Sequence, residues 1–251
     1  MNLNSNQCRK VISQLHTYYK DFYSLAEIAY PQSIPFRSNE YYLYMFYSCL
    51  LDYGMRSKIY HQNLIEAYQK YPQLFSPKAV LTMEECEIKE ILVKNVHPRY
   101  PNVALKKWIN LSKQLMNYED ISEHLKKITS ATELYDFIKS IKGYGQKTGG
   151  LLIRIITDSS ICHFKEEMEN IPIDRHDIEI SYLTGVVDTM NLNLVEIKSL
   201  SSFYIQEGKK QKISPSSIDK YLWEVGNSFC NKKQCDDCPL QSLCNKKGSC
   251  L

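Results

Sequence analysis

Three sets of residues in this chain have types and spacings that can do chemistry. The first is Gly143-Tyr144-Gly145-Gln146-Lys147-Thr148, inside the stretch Ile141 to Gly150. Two glycines one residue apart permit a tight hairpin, because glycine takes positive φ and lets another backbone come close. The hairpin opens onto the apolar run Leu151, Leu152, Ile155 and Ile156. The free N–H groups at the start of such a helix favour an anion, so a phosphate clamp is expected. The second set centres on Asp174, in Ile171-Pro172-Ile173-Asp174-Arg175-His176. Aspartate before an apolar helix is a preferred N-cap. The third set is Cys230, Cys235, Cys238 and Cys244, spaced C-x4-C-x2-C-x5-C. Four thiolates suit tetrahedral zinc or a [4Fe–4S] cluster, and the spacing leaves both open.

The elements that must position these groups read as helices. Ser130 and Glu133 have capping-box spacing, and Leu134, Phe137, Ile138 and Ile141 share one face. Residues 1 to 29 look helical, with Val11, Leu15, Tyr18, Tyr19 and Phe22 as an apolar stripe. Glu40 to Leu51 is apolar all round, as a central buried helix should be. Further helices are expected at Tyr60 to Tyr71, Met83 to Val93, Val103 to Met116 and Ile218 to Phe229. Asn191 to Ser217 shows no clear period, and Gly208-Lys209-Lys210-Gln211-Lys212 reads as a basic loop. Strand signals are few, so the fold is expected to be all-α.

The first motif resembles the helix-hairpin-helix of the base-excision DNA glycosylases of the endonuclease III superfamily. The other two sets follow in the order that family uses, and the resemblance covers most of the chain. It implies a lysine nucleophile at Lys147 and a carboxylate at Asp174 that stabilises charge or moves protons. Asp177 is a weaker alternative, and His176 is expected to be a structural hydrogen-bonding residue rather than a catalyst. The resemblance also implies DNA contacts at Gly143, Tyr144, Gly145, Gln146 and Thr148. It favours a [4Fe–4S] cluster on the four cysteines, with zinc as the alternative. The first cysteine gap is shorter than the family's, which alters the loop and not the ligand type. A helical barrel over residues 36–160 is implied, with residues 1–35 and 161–251 forming a cluster-bearing domain. The loop Asp52 to Lys58, which in the family reaches into DNA, lacks the usual glutamine. Tyr53, Met55 and Arg56 are wedge candidates, beside simple loop packing. His97 and Arg99 are weaker contact candidates.

A lysine amine can attack the sugar C1′ of an extruded nucleotide and form a Schiff base. It must be neutral to do so, against a reference pKa of about 10.4, and burial or positive neighbours such as Arg154 lower that value. The implied activity is therefore a bifunctional DNA glycosylase and abasic-site lyase acting on damaged double-stranded DNA as a monomer. Monofunctional relatives usually lack the hairpin lysine. The rival from another class is a non-catalytic DNA-binding protein with a zinc staple. The excised base is open between oxidised pyrimidines and 8-oxoguanine.

Composition bounds these readings. A chain of 251 residues with 43% hydrophobic residues can bury a sizeable core. Its net charge of +3 is too small to prove DNA binding, so any basic surface must be local. Nine cysteines, an odd number, with a terminal cluster point to metal in a reducing, intracellular setting. Met1 to Lys20 is polar and unlike a secretory leader. The longest apolar run, Tyr41 to Leu51, is too short to span a bilayer. Cys8, Cys49, Cys86 and Cys162 read as core or incidental thiols, and Cys250 as a spare. Lys106, Lys107 and Lys113 read as a solvated face.

Overall fold

The computed structural model describes residues 1–20, 29–53, 57–162, 164 and 171–245. Phe22, Met55, Arg56 and Cys250, named above, lie outside them. Among the described residues the structure is helical, with one antiparallel bridge between Leu3 and Val187. In chain order the helices are α1 (Ser5–Tyr19), α2 (Asn39–Leu50), α3 (Ser57–Lys70), α4 (Pro77–Val80), α5 (Glu85–Ile91) and α6 (Pro101–Leu115). They continue with α7 (Ile121–Lys126), α8 (Ala131–Ser140), α9 (Gln146–Asp158), α10 (Arg175–Leu183), α11 (Leu194–Lys210) and α12 (Pro215–Val225). The expected all-α class holds. No described helix is long and apolar enough to cross a membrane. The chain divides into two compact units, residues 28–166 and residues 1–27 with 167–251.

In the unit of residues 28–166, α2 is the central element. The Ser38 hydroxyl starts it by accepting from the Tyr41 N–H at 3.1 Å. Tyr41, Tyr42, and every residue from Tyr44 to Leu50 are buried. A helix without a polar face has no stable place except the middle. Two of its tyrosines pair their hydroxyls there: Tyr42 meets Ser159 Oγ at 2.7 Å and Tyr47 meets Ser112 Oγ at 2.6 Å. Helices α6, α7 and α9 pack around it. Trp108 on α6 stacks on Tyr47 with ring centroids 4.6 Å apart and donates to the Leu74 carbonyl at 2.8 Å. Ser130 caps α8 as its spacing predicts, accepting from Glu133 N–H at 3.1 Å. The returning bond is displaced by one residue, since the Glu133 carboxylate accepts from Thr129 N–H at 2.8 Å.

In the other unit, α1, α10, α11 and α12 enclose a core that includes Val11, Leu15, Ile180, Leu200, Tyr204 and Leu222. The stretch 208–212, expected as a basic loop, is instead helical as far as Lys210. Gly208, Lys209 and Lys210 form the last turn of α11. A Cβ at Gly208 would stand 2.3 Å from Ile218 Cδ1 and 3.1 Å from the Ile213 carbonyl oxygen. The glycine serves the close packing of α11 on α12, and the chain turns only after it.

Candidate functional site

The hairpin joins α8 to α9, and its two glycines have different reasons to be there. Gly143 takes a φ of 124°, which side chains rarely adopt. A Cβ there would also lie 3.1 Å from Leu50 Cδ1 on α2. Gly145 has φ −96° and ψ −176°, extended backbone open to any residue. Among the described residues, a Cβ at Gly145 would meet nothing within 4 Å. Nothing among the described residues therefore requires a glycine at 145.

The rest of the motif is fixed from behind. Lys142 N–H donates to Gln114 Oε1 at 2.8 Å, and Gln114 Nε2 donates back to the Lys142 carbonyl at 3.2 Å. The Tyr144 hydroxyl donates to the Phe46 carbonyl of α2. Thr148 is buried and its Oγ1 accepts from the Gly145 N–H at 3.0 Å. The side chains of Tyr144 and Thr148 are thus turned to the protein, and the Gly145 amide is occupied. Among the described residues, the amides of Gly143, Tyr144 and Gln146 make no hydrogen bond. Gly145 is exposed, while Gln146 and Lys147 are half-buried in the first turn of α9. Arg154 is buried further along α9. It opposes burial and the Asp52 carboxylate, which push the Cys49 thiol well up.

Asp174 lies in the other unit, as the N-cap of α10. Its Oδ1 accepts from the N–H groups of His176 at 2.7 Å and Asp177 at 3.2 Å. Asp177 Oδ2 accepts in return from the Asp174 N–H at 2.7 Å. The cap predicted for Asp174 is present and immobilises its carboxylate. His176 packs on α12's end, where a Cβ on Gly226 would come 2.8 Å from His176 Cβ. Its Nδ1 is buried and lacks a hydrogen-bond partner among the described residues, so the hydrogen-bonding role expected for it is replaced by packing.

Asp177 is the surprise of this cap. Burial raises its carboxyl well above the ordinary range, and the Asp174 and Asp219 carboxylates raise it further. The folded state then holds a proton that the unfolded chain, with a pKa of about 3.9, has lost. Such a group favours folding at low pH, and its contribution fades as pH rises from that value towards the folded one. Asp177→Asn keeps an oxygen for the Asp174 N–H and carries no charge. Its melting temperature should exceed the wild type's at neutral pH, with a flatter profile from acid to neutral. Thermal melts across that range check this; parallel profiles would remove Asp177 as the source.

No family model matches the sequence, and no curated protein does. Solved structures do match. Endonuclease III, trapped as a covalent intermediate with DNA, is 15% identical over 98% of each chain, with a TM-score of 0.62. A thermostable thymine-DNA glycosylase is 15% identical over 97% of this chain and 98% of its own, with a TM-score of 0.61. The 8-oxoguanine DNA glycosylase of Methanocaldococcus jannaschii is 16% identical over 88% of this chain and 87% of its own, with a TM-score of 0.55. The fold is that of the helix-hairpin-helix DNA glycosylases.

Within this glycosylase fold, Cys230 ends the short π-helix Gly226–Cys230 that extends α12, and the other three cysteines follow it. Cys230 and Cys238 pack against the core of their unit. Burial raises the Tyr19 hydroxyl, and Glu224, Tyr18, Cys238 and Cys230 add to it, so these two thiols border one tyrosine. Burial also raises the Cys238 thiol, and Cys244 adds to that. Cys235 takes part in a disulfide, and among the described residues no three ligating side chains form a metal-holding group. The donor set suits a thiolate-bound metal in ligand type, while the described side chains are not gathered into a metal-holding group.

Sequence reasoning missed two features of this glycosylase fold. Asp177 was ranked only as a substitute for Asp174, although the D-x-x-D spacing is a capping-box signal. The buried pair of His61 Nε2 and Asp52 Oδ2, 3.3 Å apart, carries no sequence signature.

Proposed function

We propose that the protein is a base-excision DNA glycosylase with abasic-site lyase activity. The observation that carries the reading is Gly145, exposed with room for a side chain, at the hairpin of a glycosylase fold and two residues before Lys147. The hairpin holds a duplex phosphate through the open amides of Gly143, Tyr144 and Gln146 and the N-terminus of α9. Such contacts position the duplex and read no sequence.

The damaged nucleotide is extruded, and the Lys147 amine attacks its C1′. The N–C1′ bond forms as the glycosidic bond breaks, and the bonding pair leaves with the base, which takes up a proton. Asp174, held by its cap, is assigned the carboxylate's role of stabilising the positive charge that develops at the sugar or helping to move protons, and the proton lost by the amine balances the one taken up by the base. The sugar ring opens as the amine nitrogen forms a Schiff base at C1′, with a proton passing to O4′. Loss of a C2′ proton then expels the 3′ phosphate and nicks the strand. This chemistry follows from Lys147 and Asp174; the structural likenesses support the fold that would hold them.

Cys230, Cys235, Cys238 and Cys244 are proposed to bind a [4Fe–4S] cluster, with zinc as the alternative. The metal's contribution is folding: a polar loop this short buries little apolar surface, and ligand bonds order it. Protein purified without oxygen should contain iron and acid-labile sulfide at about one cluster per chain. Stoichiometric zinc without sulfide would instead identify the alternative.

The test of the activity is a panel of duplexes, each with one lesion. Base release with strand nicking on at least one duplex is expected, with oxidised pyrimidines and 8-oxoguanine as the first substrates. Release without nicking identifies a monofunctional enzyme, and binding without release identifies a non-catalytic clamp.

A further inference from the structure

Beside the hairpin lies a cation that the mechanism above does not use. Helix α6 carries Lys106, Lys107 and Lys113 and no carboxylate. Sequence reading assigned all three to a solvated face, but Lys107 is half-buried. Its Nζ stands 4.5 Å from the centroid of the Tyr53 ring. Among the described residues it forms no ion pair with a carboxylate. Burial lowers its pKa from the ordinary lysine range. An aromatic face steadies an ammonium without neutralising it. A partly desolvated ammonium with no anion gains most when an anion arrives.

The place of Lys107 indicates which anion. Gln114, seven residues further along α6 and so on the same face, is the residue that grips Lys142 of the hairpin. A Cβ on Gly143 would lie 4.0 Å from Lys107 Cγ. The lysine stem therefore runs alongside the hairpin that carries the open amides. The neighbouring segment adds a second cation on an aromatic face, Arg99 with its guanidinium carbon 5.3 Å from the Tyr100 centroid. The hairpin stretch Ile141 to Gly150 contains no acidic residue. A local basic surface thus exists in a chain whose net charge is only +3.

We propose that Lys107, held on the ring of Tyr53, is a second phosphate seat for duplex DNA, beside the one at the hairpin amides. The proposal rests on the glycosylase reading, because it takes the hairpin to face DNA. The contact is to the backbone, so it strengthens binding to damaged and undamaged duplexes alike.

The test is equilibrium binding of one undamaged and one lesion-bearing duplex over a range of salt. Each phosphate neutralised contributes about 0.9 to the slope of log K against log salt. Lys107→Gln should reduce the slope by about that amount and weaken binding about fivefold near physiological salt. Lys107→Arg, which keeps the charge, should restore the slope. Tyr53→Ala should weaken binding in the wild-type background and have little further effect with Lys107→Gln, because the two residues act as one unit. Thermal melts confirm that each variant is folded. A folded Lys107→Gln protein with an unchanged salt slope overturns the proposal, as does a loss confined to the lesion duplex. A wild-type protein that binds neither duplex overturns the glycosylase reading, and this contact with it.

Discussion

Lys147→Ala should lose strand nicking altogether and leave no covalent complex with lesion DNA. Lys147 is the second residue of α9, directly after the hairpin. No other lysine shares that position, and water cannot form a Schiff base with C1′. Removing a catalytic nucleophile costs on the order of 10⁴- to 10⁶-fold in turnover where a general base and a binding site remain. Single-turnover nicking and borohydride trapping measure the two losses separately. Duplex affinity should fall far less, since the backbone amides of the hairpin are untouched. The half-buried side chain is not part of a core cluster, so the melting temperature should move little. A Lys147→Ala protein that nicks and traps like the wild type would show that another amine does the work.

Asp174→Asn should fold, bind DNA and turn over slowly. Asparagine caps helices about as well as aspartate, so the bonds to His176 N–H and Asp177 N–H can persist. What disappears is the charge. A positioned proton-transfer group contributes roughly 10²- to 10⁴-fold, and the loss of turnover should lie in that range. Asp174→Ala separates the two roles, because it also removes the cap and should cost about 1 kcal/mol of stability. Base release in Asp174→Asn within a few-fold of wild type would reduce Asp174 to a helix cap. Thermal melts of both variants supply the structural readout, and base-release rates supply the chemical one.

The parts of this molecule that announced themselves in sequence are those where one local rule dominates. Helix α2 was legible because Tyr41 to Leu50 has almost no polar face, and the structure places it at the centre of its unit. Ser130 was legible because its cap depends only on residues three apart. Helix α11 was not. Its first turn exposes Leu194 and Val195, while Glu207 and Gly208 near its end are buried. That reverses the usual link between polarity and burial and hides the helical period. Glu207 is buried because Arg9 and Lys210 pair with it, and Arg9 comes from the far end of the chain. A signal for the start of α11 did exist, since Asn193 and Glu196 form a capping box.

The candidate site divides in the same way. The glycines of the hairpin were visible, but their separate reasons were not. Gly143 is constrained by Leu50, nearly a hundred residues away, and only the structure shows that Gly145 is unconstrained. Tyr144 and Thr148 carry polar atoms next to a phosphate-binding motif, so sequence placed them at DNA. In the fold their hydroxyls serve α2 and the Gly145 amide. The raised carboxyl of Asp177 depends on burial and on Asp219 from α12, neither of which spacing reveals.

The most direct test of the central claim is peptide mapping of the wild-type protein after borohydride reduction on a lesion-bearing duplex. The account predicts a reduced sugar adduct on the peptide that contains Lys147, in protein that also releases the base and nicks the strand. An adduct on a different residue, or base release with no adduct at all, would contradict it.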